Sequence, residues 1–166
     1  MKLIKNLFVS FQLKKALNKK DKYEVIFPVK PKCVGILAAD EKEFKETKEY
    51  LRSLWGYQVR IIGWYYHEGN SEIESFSHKN FSFFGLPTDV FNELMDEKLD
   101  FILVPSLSLN PYLRYLLLNN QSKFKMGFLS DENKSYLDFM IKMEGENLEM
   151  NLKRLLGYFD KIKEAC

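Results

Sequence analysis

Four polar side chains follow apolar runs in a way that could do chemistry: Asp40 after "CVGILAA", Ser106 and Ser108 in "ILVPSLSLNP", and Ser130 after "FKMGFL". Such runs read as strands covered on both faces, and ligands of open α/β sheets sit outside the carboxyl ends of the strands. A carboxylate there could hold a metal or a ribose hydroxyl, and a serine could touch a polar ligand. Asp40, Ser106, Ser108 and Ser130 are therefore the candidate ligand-binding residues. Asp40 and the two serines of the loop also have a purely structural explanation. Asp40 with Glu43 three residues later has the spacing of a capping box. Asn110 is a good N-cap and Pro111 suits the first position of a helix, so the loop from Pro105 to Pro111 ends in ordinary helix-start chemistry.

The motifs that the sequence lacks narrow the chemistry. None of the eight glycines falls in a G-x-G pattern, so the dinucleotide fingerprint and the P-loop are absent. No serine sits in a G-x-S-x-G elbow. The chain has two histidines, His67 and His78, and two cysteines, Cys33 and Cys166, none at metal-ligand spacing. No catalytic residue, metal ligand or cofactor is assigned, and the balance leans away from an enzyme. Cysteine usage fits a reducing compartment, and no apolar run reaches the roughly 20 residues of a membrane span. The "MKLIKNLFVSFQLKK" start lacks the small-residue cleavage site of a secretion signal, so the expectation is a cytoplasmic protein, peripheral at most to the inner membrane.

The elements that would position these residues alternate. After "CVGILAA" the pattern predicts a helix over "DEKEFKETKEYLRSLW", with Phe44, Lys48, Leu51, Leu54 and Trp55 facing inward. "YQVRIIGWYY" reads as a second strand, Phe101 to Val104 as a third with a helix from Tyr112 to Leu118, and "FKMGFL" as a fourth. "FSFFGLP" reads as a short strand or a buried loop, and "TDVFNELMDEK" as a brief helix. "YLDFMIKM" follows the polar "SDENKS" closely and is expected as an antiparallel edge strand. Leu148, Leu152, Leu155, Leu156, Phe159 and Ile162 define a closing amphipathic helix. The expected fold class is α/β, a three-layer sandwich with a mostly parallel sheet of about four to five strands, an antiparallel edge strand and an N-terminal basic helix.

Charge divides the chain further. Residues 1–32 hold nine lysines against Asp21 and Glu24, a net +7, whereas residues 33–166 hold 16 basic and 21 acidic side chains, a net −5. The expected organisation is a basic helix and connector over 1–32 and one α/β domain over 33–166. Leu3, Ile4, Leu7, Phe8 and Phe11 recur at helical spacing, and beyond Gln12 the apolar positions Leu13, Ala16 and Leu17 move to another face. Tyr23 to Phe27 reads as a short β-like piece. Lys2, Lys5, Lys14, Lys15, Lys19 and Lys20 are the candidate residues for an anionic partner: a membrane surface, where each Lys contributes on the order of 1 kcal/mol, or a ribosome or other RNA. Arg is absent from the arm and aromatics are not arranged as a stacking platform, which argues for diffuse electrostatics and against sequence-specific DNA binding. Homo-oligomerisation through an exposed strand edge is a third way to associate.

The order of "SHKNFSFFGLP", "LDFILVPSL", "YLRYLL", "SKFKMGF" and "SYLDFMIKM" resembles a family of small uncharacterised proteins of Bacteroidetes-type bacteria. That resemblance implies an α/β domain of unknown function over nearly the whole chain and brings no catalytic residues. Asp100 through Arg114 to Gly127 is also faintly similar to the amino-terminal half of heptosyltransferase-like glycosyltransferases, a likeness at the level of fold. The leading expectation is a non-catalytic module that associates through its basic helix with a membrane surface or a large anionic partner. The alternative is a small-ligand or degenerate glycosyltransferase-like module using the strand-end crevice.

Overall fold

A computed structural model describes residues 1–20, 24–69 and 72–165, with the side chain of Lys20 outside the description. The chain begins with helix α1 (Lys2–Lys20), then β1 (Cys33–Ala38), α2 (Glu41–Trp55), β2 (Arg60–Tyr66) and β3 (Ser75–Phe76). After two 3-10 turns come α3 (Asn92–Asp96), β4 (Phe101–Val104), α4 (Pro111–Asn119), β5 (Lys125–Phe128), β6 (Phe139–Ile141) and α5 (Leu148–Ala165).

The six strands form one sheet in the order β3-β2-β1-β4-β5-β6, with every pairing parallel. The chain leaves the centre of the sheet twice, toward β2 and then toward β5. Right-handed crossovers in opposite directions place α2 and α4 on opposite faces. The period of two in the strands feeds both faces. Val34, Ile36, Phe101, Leu103, Met126 and Phe128 pack with Phe44 and Leu51 of α2 and Leu152, Leu155 and Phe159 of α5. Leu37, Trp64, Ile102 and Val104 pack with Leu113, Leu116 and Leu117 of α4 and with Val9 and Leu13 of α1. On α2, Thr47 is buried beside Phe44 and Leu51, whereas Leu54, expected inside, is exposed.

Two expectations about the sheet are corrected. It has six strands because Ser75–Phe76 adds to β2, a two-residue strand too short to leave a pattern in the sequence. The last strand is parallel to β5, not antiparallel. "SDENKS" is no hairpin turn: a 3-10 turn at Asn133–Ser135 and the buried Tyr136 and Leu137 carry the chain back to where β5 starts. There Asp138 donates its backbone N–H to the Lys125 carbonyl and accepts the Lys125 N–H on Oδ2, both at 2.8 Å, which sets the direction of β6. Glu24 to Phe27 forms no strand, although Ile26 donates its N–H to the Lys123 carbonyl and the Phe27 ring packs on Phe124 and Phe159. Tyr23 of the expected β-like piece and the terminal Cys166 lie outside the described residues.

Candidate functional site

The strand order turns between β1 and β4, so the crevice that α/β sheets use for ligands lies beyond Ala38 and Val104. In this chain side chains bridge the strand exits there. Asp40 caps α2, accepting the Glu43 N–H at 2.9 Å. The Ser106 hydroxyl, almost wholly buried, accepts the Ala39 N–H at 2.8 Å and donates to the Glu43 carboxylate. Burial raises the Glu43 carboxyl above its ordinary value, against the hydrogen bond from Ser106, which lowers it. The α2 N-terminus, where a pyrophosphate would sit, thus already holds the Asp40, Glu41 and Glu43 carboxylates.

The other two serines are separate from this pair. Ser108 donates to Glu132 at 2.7 Å, and Glu132 also takes the Arg114 guanidinium at 2.7 Å. The hydrogen bond from Ser108, helped by the Arg114 charge, holds Glu132 below the usual carboxylate range. Ser130 accepts the Asn133 N–H at 3.1 Å. Asn133 is the residue that the sequence reading missed. Buried at the end of the sheet, it donates through Nδ2 to the carbonyls of Ser106 at 2.9 Å and Phe128 at 3.0 Å, tying the exits of β4 and β5 together. Its only sequence signal is an amide inside a polar turn. Among the described residues, no three His, Cys, Asp or Glu side chains converge as a metal would need. Cys33 is buried, its N–H is held by Asp100 at 2.9 Å, and burial pushes its thiol up. The arrangement joins strand exits to helix starts and leaves Ser106 no free donor.

The basic helix has the opposite character. α1 docks on the α4 side of the sheet through Val9 and Leu13, with Leu17 beside them. Polar bonds fix its first turns. Lys5 donates from Nζ to the carbonyls of Phe81 at 2.6 Å and His78 at 3.2 Å, and Asn6 accepts the Tyr112 hydroxyl at 2.6 Å. Lys2 pairs with Glu68 at 2.8 Å, and Glu68 also meets His78 Nδ1 at 3.1 Å and accepts the Tyr66 hydroxyl. Burial works against the Glu68 charge, but these donors prevail and lower its carboxyl to about 2.

The apolar positions thus divide between two sides of α1. Val9, Leu13 and Leu17 face the body, while Leu3 (80% exposed), Leu7 (73%) and Phe11 (65%) face solvent. Ile4 is also exposed, and Phe8 lies half-buried at the border. Lys14 and Lys15 follow three and four residues after Phe11, the spacing of one helix face. Both are exposed, as is Lys19, and neither Lys14 nor Lys15 makes an ion pair among the described residues. Of the candidate lysines, Lys2 and Lys5 serve the docking of α1 itself, whereas Lys14, Lys15 and Lys19 point to solvent. No described helix is long and apolar enough to cross a membrane.

A doubly wound parallel sheet whose order turns at β1 and β4 makes this a Rossmann-like α/β protein. Its strand exits are bridged by Ser106 and Asn133, and its N-terminal helix carries apolar residues on two sides. Residues 5–162 match the family of unknown function DUF6913, and the chain belongs to that family. No curated protein and no solved structure matches it.

Proposed function

We propose that this protein docks on anionic membrane surfaces through the outward side of α1 as a non-catalytic peripheral module. One observation carries the reading: Leu3, Leu7 and Phe11 stand in solvent on a helix already anchored by its other side, with Lys14 and Lys15 next along the same stripe. An apolar strip continued by lysines matches a headgroup boundary, with acyl chains below and phosphates beside it. Each fully inserted Leu or Phe is worth about 1.5–3 kcal/mol and each Lys near the headgroups about 1 kcal/mol. Docking has already folded the helix, so binding carries little further ordering cost.

Co-sedimentation with vesicles of phosphatidylglycerol and phosphatidylcholine tests this on the full chain. Wild type is expected to bind and to be released in part by high salt. Leu7→Ser with Phe11→Ser is expected to lose about 100-fold, roughly 2.7 kcal/mol, with an unchanged urea midpoint. Lys14→Gln with Lys15→Gln is expected to lose about tenfold and most of the salt dependence. Binding to ribosomes with none to vesicles overturns the proposal in favour of RNA phosphates.

A further inference from the structure

The loop "FSFFGLP" supplies a second apolar surface that the fold does not require. Ser82 to Gly85 is a tight turn, closed by Gly85 N–H to the Ser82 carbonyl at 3.0 Å and Ser82 N–H to the Leu86 carbonyl at 2.7 Å. The Ser82 hydroxyl accepts the Leu86 N–H at 3.1 Å, and Phe81 and Pro87 bridge below. The two central positions of such a turn ordinarily take Gly, Pro, Asn, Asp or Ser. Here they are Phe83 and Phe84, 45% and 61% exposed, and Leu86 beside them is also exposed. Residues 80–88 carry no charged side chain.

The turn is pressed onto α1. Gly85 is buried at φ 73°, and a Cβ there would stand 2.7 Å from the Val9 nitrogen, so only glycine fits. That seat places Phe83 and Phe84 on the ring of Phe8, with centroids 5.7 and 5.8 Å away, and 5.6 Å from each other. Phe8 lies four residues after Ile4 and three before Phe11. The tip and the outward strip of α1 are therefore one apolar surface.

We infer that the Phe83–Phe84 turn inserts into the bilayer interface beside α1, so that the protein meets the lipid at two points. This rests on the reading of α1 given above. Two aromatic rings at the tip of a closed turn, uncharged and held at a fixed position next to an apolar helix strip, form a wedge suited to the acyl–headgroup boundary. The lysines of α1 supply attraction to anionic lipid, and the tip adds depth without charge.

The test uses the full chain with the same vesicles, and with vesicles whose acyl chains are brominated. Phe83→Ser with Phe84→Ser is expected to weaken partitioning at least about tenfold without changing the salt dependence. Phe84→Trp keeps a ring of similar character and is expected to be quenched by brominated lipid, against a background from the buried Trp64 and the half-buried Trp55. Wild-type affinity in the double serine variant, or no added quenching in Phe84→Trp, overturns the inference. The α1 reading survives that result if Leu7→Ser with Phe11→Ser still weakens binding about 100-fold. Absence of vesicle binding by wild type overturns both. A dimer in light scattering that the double serine variant converts to monomer, without lipid binding, assigns the tip to self-association and overturns the inference as well.

Discussion

The carboxyl end of the sheet and the outer side of α1 reverse each other's chemistry. At the sheet end, polar groups are drawn inside: the Ser106 hydroxyl, the Asn133 amide and part of the Glu43 carboxylate hold β1, β4, β5 and α2 together. On α1 and the adjoining turn, side chains that would fill a core stay in solvent. At the strand exits, where α/β proteins commonly bind ligands, polar side chains here hold neighbouring elements together, and the apolar surface left in solvent lies on a helix outside the sheet.

The largest effect that would sharpen this contrast is on the anchored side of α1. Leu13→Ala is expected to cost about 2–5 kcal/mol, the range for truncating a buried Leu, read from urea unfolding. An unchanged midpoint would mean that the helix is not held as described. Ser106→Ala comes next, at about 1–3 kcal/mol, because it strands the half-buried Ala39 N–H and removes a donor from Glu43. A variant as stable as wild type would mean that water enters the crevice, and the contrast between the two regions would fail.

Much of the frame was legible in the residues. The unbroken apolar run at Cys33–Ala38 is a doubly covered strand, and Asp40 and Asn110-Pro111 start their helices as their types require. Ser106 was legible as a strand-end residue but not as a bridge, because Ala39 and Glu43 are more than 60 positions away and no local pattern encodes that pairing. Asn133 is not legible because an amide in a polar turn carries no sign that it reaches the Ser106 carbonyl 27 positions back. The direction of β6 is not legible because a polar hexapeptide reads alike whether the chain turns back or crosses over.

Two smaller effects follow from titration. Glu43 is raised, so the folded state holds its proton more tightly than the unfolded chain. Its contribution is favourable at low pH and lost as pH rises through the window above the ordinary value of 4.5. Glu43→Gln should flatten that part of the stability curve, measured by urea midpoints from pH 4 upward. Glu68 runs the other way. Lowered to about 2, it contributes stability present above about 4.5 and lost as pH falls toward 2. Its pair with Lys2 is roughly half exposed, so Glu68→Gln is expected to cost about 0–1 kcal/mol at neutral pH, and progressively less as pH falls through about 2. A larger cost would make the polar clasp, rather than Val9 and Leu13, the principal anchor of α1.

By itself the chain of residues determined the α/β class, the parallel centre of the sheet, the capped helix starts and the concentration of lysine in α1, since each follows from neighbours a few positions apart. Which strip of α1 turns inward was decided only by the tertiary structure. Leu3-Leu7-Phe11 and Val9-Leu13-Leu17 are both helical repeats of apolar residues, and nothing local ranks one above the other. The choice belongs to α4 and to the carbonyls of His78 and Phe81, whose fixed positions accept Lys5 and leave the second strip in solvent.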